Sequence, residues 1–231
     1  MKSQRSSILI AIFAGLLAFV PVAQAKKDKG GYLAYPAASV QGTVVRYLVN
    51  PFGEVDGLIL DNGTLAKTPP HLSGDLVGVA KPGDSVTLQG MPEAGTSFKV
   101  YSVTNTASNI TLFRRDRAWN ERSMPKHLRA VGLKEMSASG TIEHVLTGKR
   151  GEPKGVILGN GAIVRVGKEA YPYFGLFRVG APFAARGFGT ENAYGRALEA
   201  TAIGAGSGSL QPLFGPAIPG LPLTRLPKIL N

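Results

Sequence analysis

The chain contains no cysteine. That absence excludes disulfides, thiolate metal sites, a cysteine nucleophile and the lipidated cysteine of a bacterial lipoprotein, so stability has to come from packed cores. Imidazole is scarce as well. His71, His127 and His144 are the only histidines, and none stands in a metal-ligand spacing such as H-x-x-x-H. Glu143 and His144 are neighbours on a predicted strand, where alternation sends adjacent side chains to opposite faces and keeps them from converging on one ion. Acids are few, 15 Asp+Glu against 26 Lys+Arg, and "DGLILDNG" does not follow the D-x-[DN]-x-[DN]-G order of a calcium loop.

The glycine-rich stretches lack what phosphate and nucleophile motifs require. "GFGTENAYG" has Asn192 where a dinucleotide fingerprint has glycine, and it falls between predicted strands instead of opening a helix. "TGKRG" follows Gly-Lys with Arg150 and lacks the preceding P-loop spacing. "GAGSGS" has Ala205 where a G-x-S-x-G elbow around Ser207 needs glycine. The sequence therefore predicts a protein that is not an enzyme, with no cofactor and no metal.

Long apolar runs are missing after the first residues. Residues 1–25 carry Lys2 and Arg5, then the apolar run "ILIAIFAGLLAFV" (residues 8–20), then Ala23-Gln24-Ala25, the layout of a cleaved export signal. Thirteen residues of helix rise only about 20 Å, short of a hydrocarbon core of roughly 30 Å, so no membrane span is expected after cleavage. An exported chain without cysteine suits a bacterial envelope, and the expected location is periplasmic or secreted. Without residues 1–25 the chain has 24 basic and 15 acidic residues, a net charge of +9, which favours anionic partners.

What is present is a repeat. "QGTVVRYLVNPFGEVDGLILDNGTLAK" (41–67) overlies "SGTIEHVLTGKRGEPKGVILGNGAIVR" (139–165) at a constant shift of 98. Gly42, Thr43, Gly53, Glu54, Gly57, Ile59, Leu60, Asn62 and Gly63 recur in the second copy. At a shift of 97, "KPGDSVTLQG" (81–90) then meets "RVGAPFAARG" (178–187), and "KVYSVT" (99–104) meets "RALEAT" (196–201). Each copy predicts three strands, a short helix over "PPHLSGDLVGVAKPG" or its counterpart, and two further strands. Asn-Gly supplies the tight hairpin after strand two, and Gly57 and Gly155 inside that strand permit the coiling a small barrel needs.

That order is that of an OB-fold, a five-stranded Greek-key barrel. On "GEVDGLILDNGT", "PPHL" and "KPGDSVTLQG", the chain resembles the OB-like domains of small, uncharacterised bacterial envelope proteins, here as a tandem pair. The resemblance implies an all-β chain with first and second OB-like domains at 40–104 and 138–202. The second copy departs from it by losing "PPHL" and "PGD". Around these domains the sequence predicts a flexible lead-in (26–39), a basic, short helical linker (105–137) and a Gly/Pro-rich tail (203–231) without regular structure. In the linker Ser123 would cap a helix and Gly132 would stop it.

Candidate binding residues are basic and aromatic. Arg114, Arg115, Arg117 and Arg122 surround Trp119, and Lys149, Arg150 and Lys154 add charge from the first loop of the second barrel. Guanidinium groups beside aromatic rings suit an anionic polymer, whether envelope glycan, lipid headgroup or nucleic acid. The plainer reading has Trp119 and Phe113 pinning the linker between the barrels while the arginines face water or bridge to the acidic first repeat. "YPYFGLFRVGAPF" (171–183) is expected to fill the second core. Three functions follow: a non-catalytic envelope binding or assembly module, a single-stranded nucleic-acid binder, or a structural partner of an envelope protein. The second is weakened because "EVDGLILDNGTLAK" and "EPKGVILGNGAIVR" carry no aromatic on which a base could stack.

Overall fold

The structure, a computed structural model, describes residues 38–118 and 129–214. In the first copy β1 (Ala38–Val49), β2 (Val55–Leu60) and β3 (Leu65–Lys67) are followed by a 3-10 turn, Pro70–Leu72, and helix α1 (Ser73–Val79), then by β4 (Ser85–Pro92) and β5 (Ser97–Asn105). β1 pairs antiparallel with β2 and β4, β2 with β3, and β4 with β5. A parallel β3–β5 ladder closes the ring. The second copy repeats this with β7 (Lys134–Thr147), β8 (Pro153–Leu158), β9 (Ile163–Arg165), a 3-10 segment (Lys168–Leu176), β10 (Pro182–Asn192) and β11 (Gly195–Gly204). The molecule is thus two closed five-stranded barrels in tandem with a short helix between them, of which Arg129 and Ala130 are the described end.

The duplication extends to backbone register. Val44↔Leu60, Arg46↔Ile59, Leu48↔Gly57 and Val49↔Val55 recur as Ile142↔Leu158, His144↔Ile157, Leu146↔Gly155 and Thr147↔Pro153. Both copies break alternation at the same two places, with bulges after Val44 and Leu48 and after Ile142 and Leu146. The hairpin chemistry repeats too: Asn62 Nδ2 donates to Gln41 O at 2.9 Å and Asn160 Nδ2 to Ser139 O at 3.0 Å. Gly63 and Gly161, at φ of +80° and +86°, supply the left-handed residue that this turn demands.

Three expectations need correction. "RALEAT" does not overlie "KVYSVT" at a shift of 97, because Leu65↔Ser97 and Gly90↔Val100 recur as Ile163↔Ala197 and Gly187↔Ala200. The β10–β11 hairpin has therefore gained three residues over the β4–β5 hairpin. The described part of the tail is ordered on the second barrel: β12 (Gln211–Pro212) pairs with β11, Leu213 N donates to Thr201 O at 2.8 Å, and Leu213 is buried. One apolar side chain there outweighs the surrounding Gly and Pro. In the linker, β6 (Thr111–Phe113) adds a matching outer strand to β5.

Inside the first barrel, Leu58, Leu60, Leu72, Leu76 and Leu88 are fully buried. The second packs Val156, Leu158, Val164, Phe177, Phe183 and Leu198. Of its aromatic segment, Phe177 and Phe183 are buried with rings 5.5 Å apart and Tyr173 and Phe174 are half-buried against them, whereas Tyr171 is exposed. Gly57 and Gly155 serve close approach as well as coiling. A Cβ on either would lie 2.1 Å from a carbonyl of the next strand, Ala66 O or Val164 O. Gly155→Ala, which also faces a φ of +150°, is expected to destabilise the protein by roughly 2–4 kcal/mol in urea unfolding. A loss below the error of such a measurement would show that β8 and β9 separate without cost.

Candidate functional site

Alternation places Ile59 and Leu65 on the outer face of the first barrel and Ile157 and Ile163 at the equivalent positions of the second. None is more than 2% exposed, and all four belong to one buried cluster. The two outer faces are therefore pressed together. Contacts come in exchanged pairs: a Cβ at Gly195 would lie 3.4 Å from Val49 and one at Gly95 3.6 Å from Thr147. Likewise Gly161 faces Arg46 and Gly63 faces His144. Such reciprocity is the mark of an isologous, two-fold interface.

Loop contacts complete it. Asn192 Nδ2 donates to Gly53 O at 2.9 Å, and Thr147 Oγ1 to Ala94 O at 2.7 Å. In OB-folds, strands two and three with the first and last loops form the usual ligand face. In this chain both copies of that face are consumed by the interface. A signal was present in the sequence: Leu58-Ile59-Leu60 and Val156-Ile157-Leu158 are unbroken apolar runs, whereas an antiparallel strand with one wet face alternates.

Charges at the interface do not follow the symmetry. Arg165 Nη2 donates to both oxygens of Asp56, at 2.9 and 3.0 Å, joining the barrels through a largely buried pair. Burial pushes the Asp56 carboxyl up, against the pull of Arg165. Glu199 stands opposite Arg165 in the β9–β11 ladder. Its carboxyl is pushed up to about 7, chiefly by burial, with Arg165 and Lys154 opposing and Glu169 adding. In the first barrel the same ladder position sets Lys67 opposite Lys99. Like charges directly opposite one another in a sheet are destabilising.

Lys67 Nζ is held by Glu93 at 3.2 Å and by Thr147 O at 2.6 Å, while Lys99 and Lys149 make no ion pair among the described residues. Lys67, Lys99, Arg114 and Lys149, with Glu93 and Thr68, line a cleft of about 320 Å³ at the barrel junction. Arg114 reaches it because its N–H donates to Tyr101 O at 2.7 Å, holding the end of β6 along β5. Four cations stand here against one carboxylate, which leaves the cleft net positive.

Of the sequence candidates, only Arg114 and Lys149 meet here. Arg115 turns to Asp75 at 3.5 Å, a bridge to the acidic first repeat, and its carbonyl contacts His71 Nε2 at 3.0 Å. Arg117 is exposed. Lys154 pairs with Glu152 at 3.6 Å, and the Arg150 N–H donates to the same carboxylate. That carboxyl is held below its ordinary range, first by its own backbone N–H. Trp119 and Arg122 lie outside the described residues. Phe113 does not pin the linker, since it is 69% exposed. Arg129 does: it pairs with Glu54 and stacks 4.1 Å over the Phe52 ring.

Lys67 and Lys99 are the residues that sequence reasoning missed. Each is a lone lysine in its own strand, and only the parallel closure of the barrel makes them neighbours. A second correction concerns Glu143 and His144, whose side chains approach to 4.0 Å because the bulge after Ile142 cancels alternation. Among the described residues no three metal-ligating side chains gather, and no helix is long and apolar enough to cross a membrane.

The raised carboxyl gives a sign-definite pH dependence. Between the ordinary 4.5 and about 7, the folded state holds a proton on Glu199 that the unfolded chain releases, so stability falls as pH rises through this window. Glu199→Gln is expected to match the parent at pH 5 and to exceed it by on the order of 2 kcal/mol at pH 8, measured by urea unfolding. A gap that stays constant with pH would show that Glu199 is solvated. The chain matches no family model and no curated protein, so the functional reading below rests on this geometry and on the sequence.

Proposed function

We propose that the protein is a non-catalytic binding or assembly module of the bacterial envelope, periplasmic or secreted, which holds an anionic group of an envelope component in the Lys67–Lys99–Arg114–Lys149 cleft. The export-like residues 1–25, the absence of cysteine and the resemblance to small envelope OB proteins support the location. One observation carries the binding reading. At the ladder position where the second barrel sets Arg165 opposite Glu199, the first barrel places two lysines. A site that keeps cations together at a cost to stability is one that an anion completes.

Single-stranded nucleic acid is the less favoured ligand. The strands and loops with which OB barrels usually stack bases are buried between the two copies, and the cleft walls carry no aromatic ring. A purely structural role suits Lys67, which donates to Thr147 O across the junction, and Lys99, which lies 5.5 Å over the Tyr101 ring, but it does not account for Arg114 and Lys149 in the same cleft.

Retention on immobilised heparin, and binding of polyphosphate followed across a salt series, test the reading. Lys99→Gln and Arg114→Gln are each expected to weaken binding about five- to tenfold, corresponding to roughly 1–1.4 kcal/mol, whereas Arg117→Gln leaves it nearly unchanged. Without ligand, Lys99→Gln should be neutral or stabilising by about 0.2–1 kcal/mol, because it relieves the repulsion with Lys67. Undiminished retention of the Lys99→Gln/Arg114→Gln double variant would rule the cleft out.

A further inference from the structure

A larger cavity, about 800 Å³, lies elsewhere along the junction and falls in the size range of small-ligand sites. Its aromatic part is Tyr47 of β1 and Tyr194 of the β10–β11 hairpin, packed edge to face with ring centres 5.6 Å apart. Tyr47 is almost covered, whereas Tyr194 is 41% exposed and presents its ring to the groove. Around the rings stand Arg46, Lys81 and Arg196, with Glu191 as the acid of the lining.

Hydrogen-bonding capacity is unevenly spent there. The amides of Asn160 and Asn192 are committed to the backbone of their own turns and of the opposite barrel. Arg46 is paired with Glu143, and Arg196 donates through Nη2 to Ser137 O at 2.7 Å. Yet Arg46 Nε and Arg196 Nε are both fully buried without a hydrogen-bond partner among the described residues. Glu191, at 3.9 Å from Arg196 Nε, is too distant to serve. Both Nε atoms are covered, so what a ligand can reach is the exposed part of the two arginine side chains, 30% for Arg46 and 38% for Arg196, together with Lys81.

The groove is also peculiar to one side of the pseudo-two-fold. At the equivalent positions of the second copy, His144 replaces Arg46 and Val145 replaces Tyr47. Tyr194 and Arg196 belong to the hairpin that gained three residues over its counterpart. The longer hairpin brings a ring and a guanidinium to a place where the first copy has Ala94 and Thr96.

We infer that this groove is a second binding site, for a short acidic oligosaccharide of the uronate class, with a sugar face against Tyr194 and carboxylates toward Arg46, Lys81 and Arg196. An exposed ring offers an apolar ledge to the flat C–H face of a sugar, and a donor-rich, net positive rim suits carboxylate and hydroxyl acceptors. An acidic peptide fits less well. The strands lining the groove, β1, β9, β10 and β11, each have neighbours on both sides, so no free edge is available to grip an extended backbone.

The test is calorimetric titration of the full chain with trigalacturonate, its methyl ester and triglutamate. The expected result is saturable binding of trigalacturonate, weakened about tenfold or more by methyl esterification and about fivefold by Tyr194→Ala or by Lys81→Gln. Lys81 is exposed, so Lys81→Gln keeps the test open if Tyr194→Ala perturbs folding. Lys99→Gln is expected to leave this binding unchanged. No heat of binding at millimolar sugar, equal affinity for the ester, or equal affinity for triglutamate would each overturn the inference. Loss of binding in Lys99→Gln with none in the groove variants would move the sugar to the lysine cleft, overturning this site while leaving the cleft reading intact.

Discussion

Each barrel carries a second apolar surface on its outside, and neither copy can leave it in water. Ile59 and Leu65, with Ile157 and Ile163, are outward-pointing residues on strands two and three, and burying them requires the other copy. From this one constraint follow the reciprocal contacts, the merging of second-barrel residues into the first barrel's core, and the loss of the usual OB ligand face. Hydrophobic burial provides the association, and the polar contacts at Thr147, Asn192 and Asp56 set its register.

Both proposed sites lie where the two-fold has been broken. The framework of bulges, Asn-Gly turns and close-packed glycines is shared, because every element of it is needed to close a barrel. Charges are free to diverge. Arg165 is paired with Asp56 across the interface and stands opposite Glu199 within its own barrel. Lys67 has one acid, Glu93, and Lys99 has none among the described residues. The tyrosine groove shows the same asymmetry, built by a hairpin that lengthened in one copy only. Duplication supplied the scaffold, and the departures from symmetry supply the lysine cleft and the tyrosine groove.

The linker has a plainer part than its composition suggests. Arg115 and Arg129 bridge back to Asp75 and Glu54, the negative first repeat neutralising the positive segment that follows it. Arg114 differs only because the β6–β5 pairing carries it past those acids to the cleft. A run of basic residues thus divides between holding the chain in place and lining the cleft, and backbone pairing decides which residue does which.

The barrel architecture was legible in the sequence because its causes are local: β-branched runs, Asn-Gly turns, glycines at strand crossings and a repeat whose spacing preserves them. Residues whose behaviour depends on a distant partner were not. Alternation failed for Glu143 and His144 at a bulge, the "RALEAT" overlay slipped at a lengthened hairpin, and Leu213 docked a segment whose composition argued against order. The local sequence determined two OB barrels and their internal register, since side-chain period and turn geometry act over a few residues. Only the tertiary structure decided that the barrels bury their ligand faces against each other and that Lys67 meets Lys99. Those outcomes depend on a parallel closure and a two-fold packing between segments far apart in the chain, and no short-range pattern encodes them.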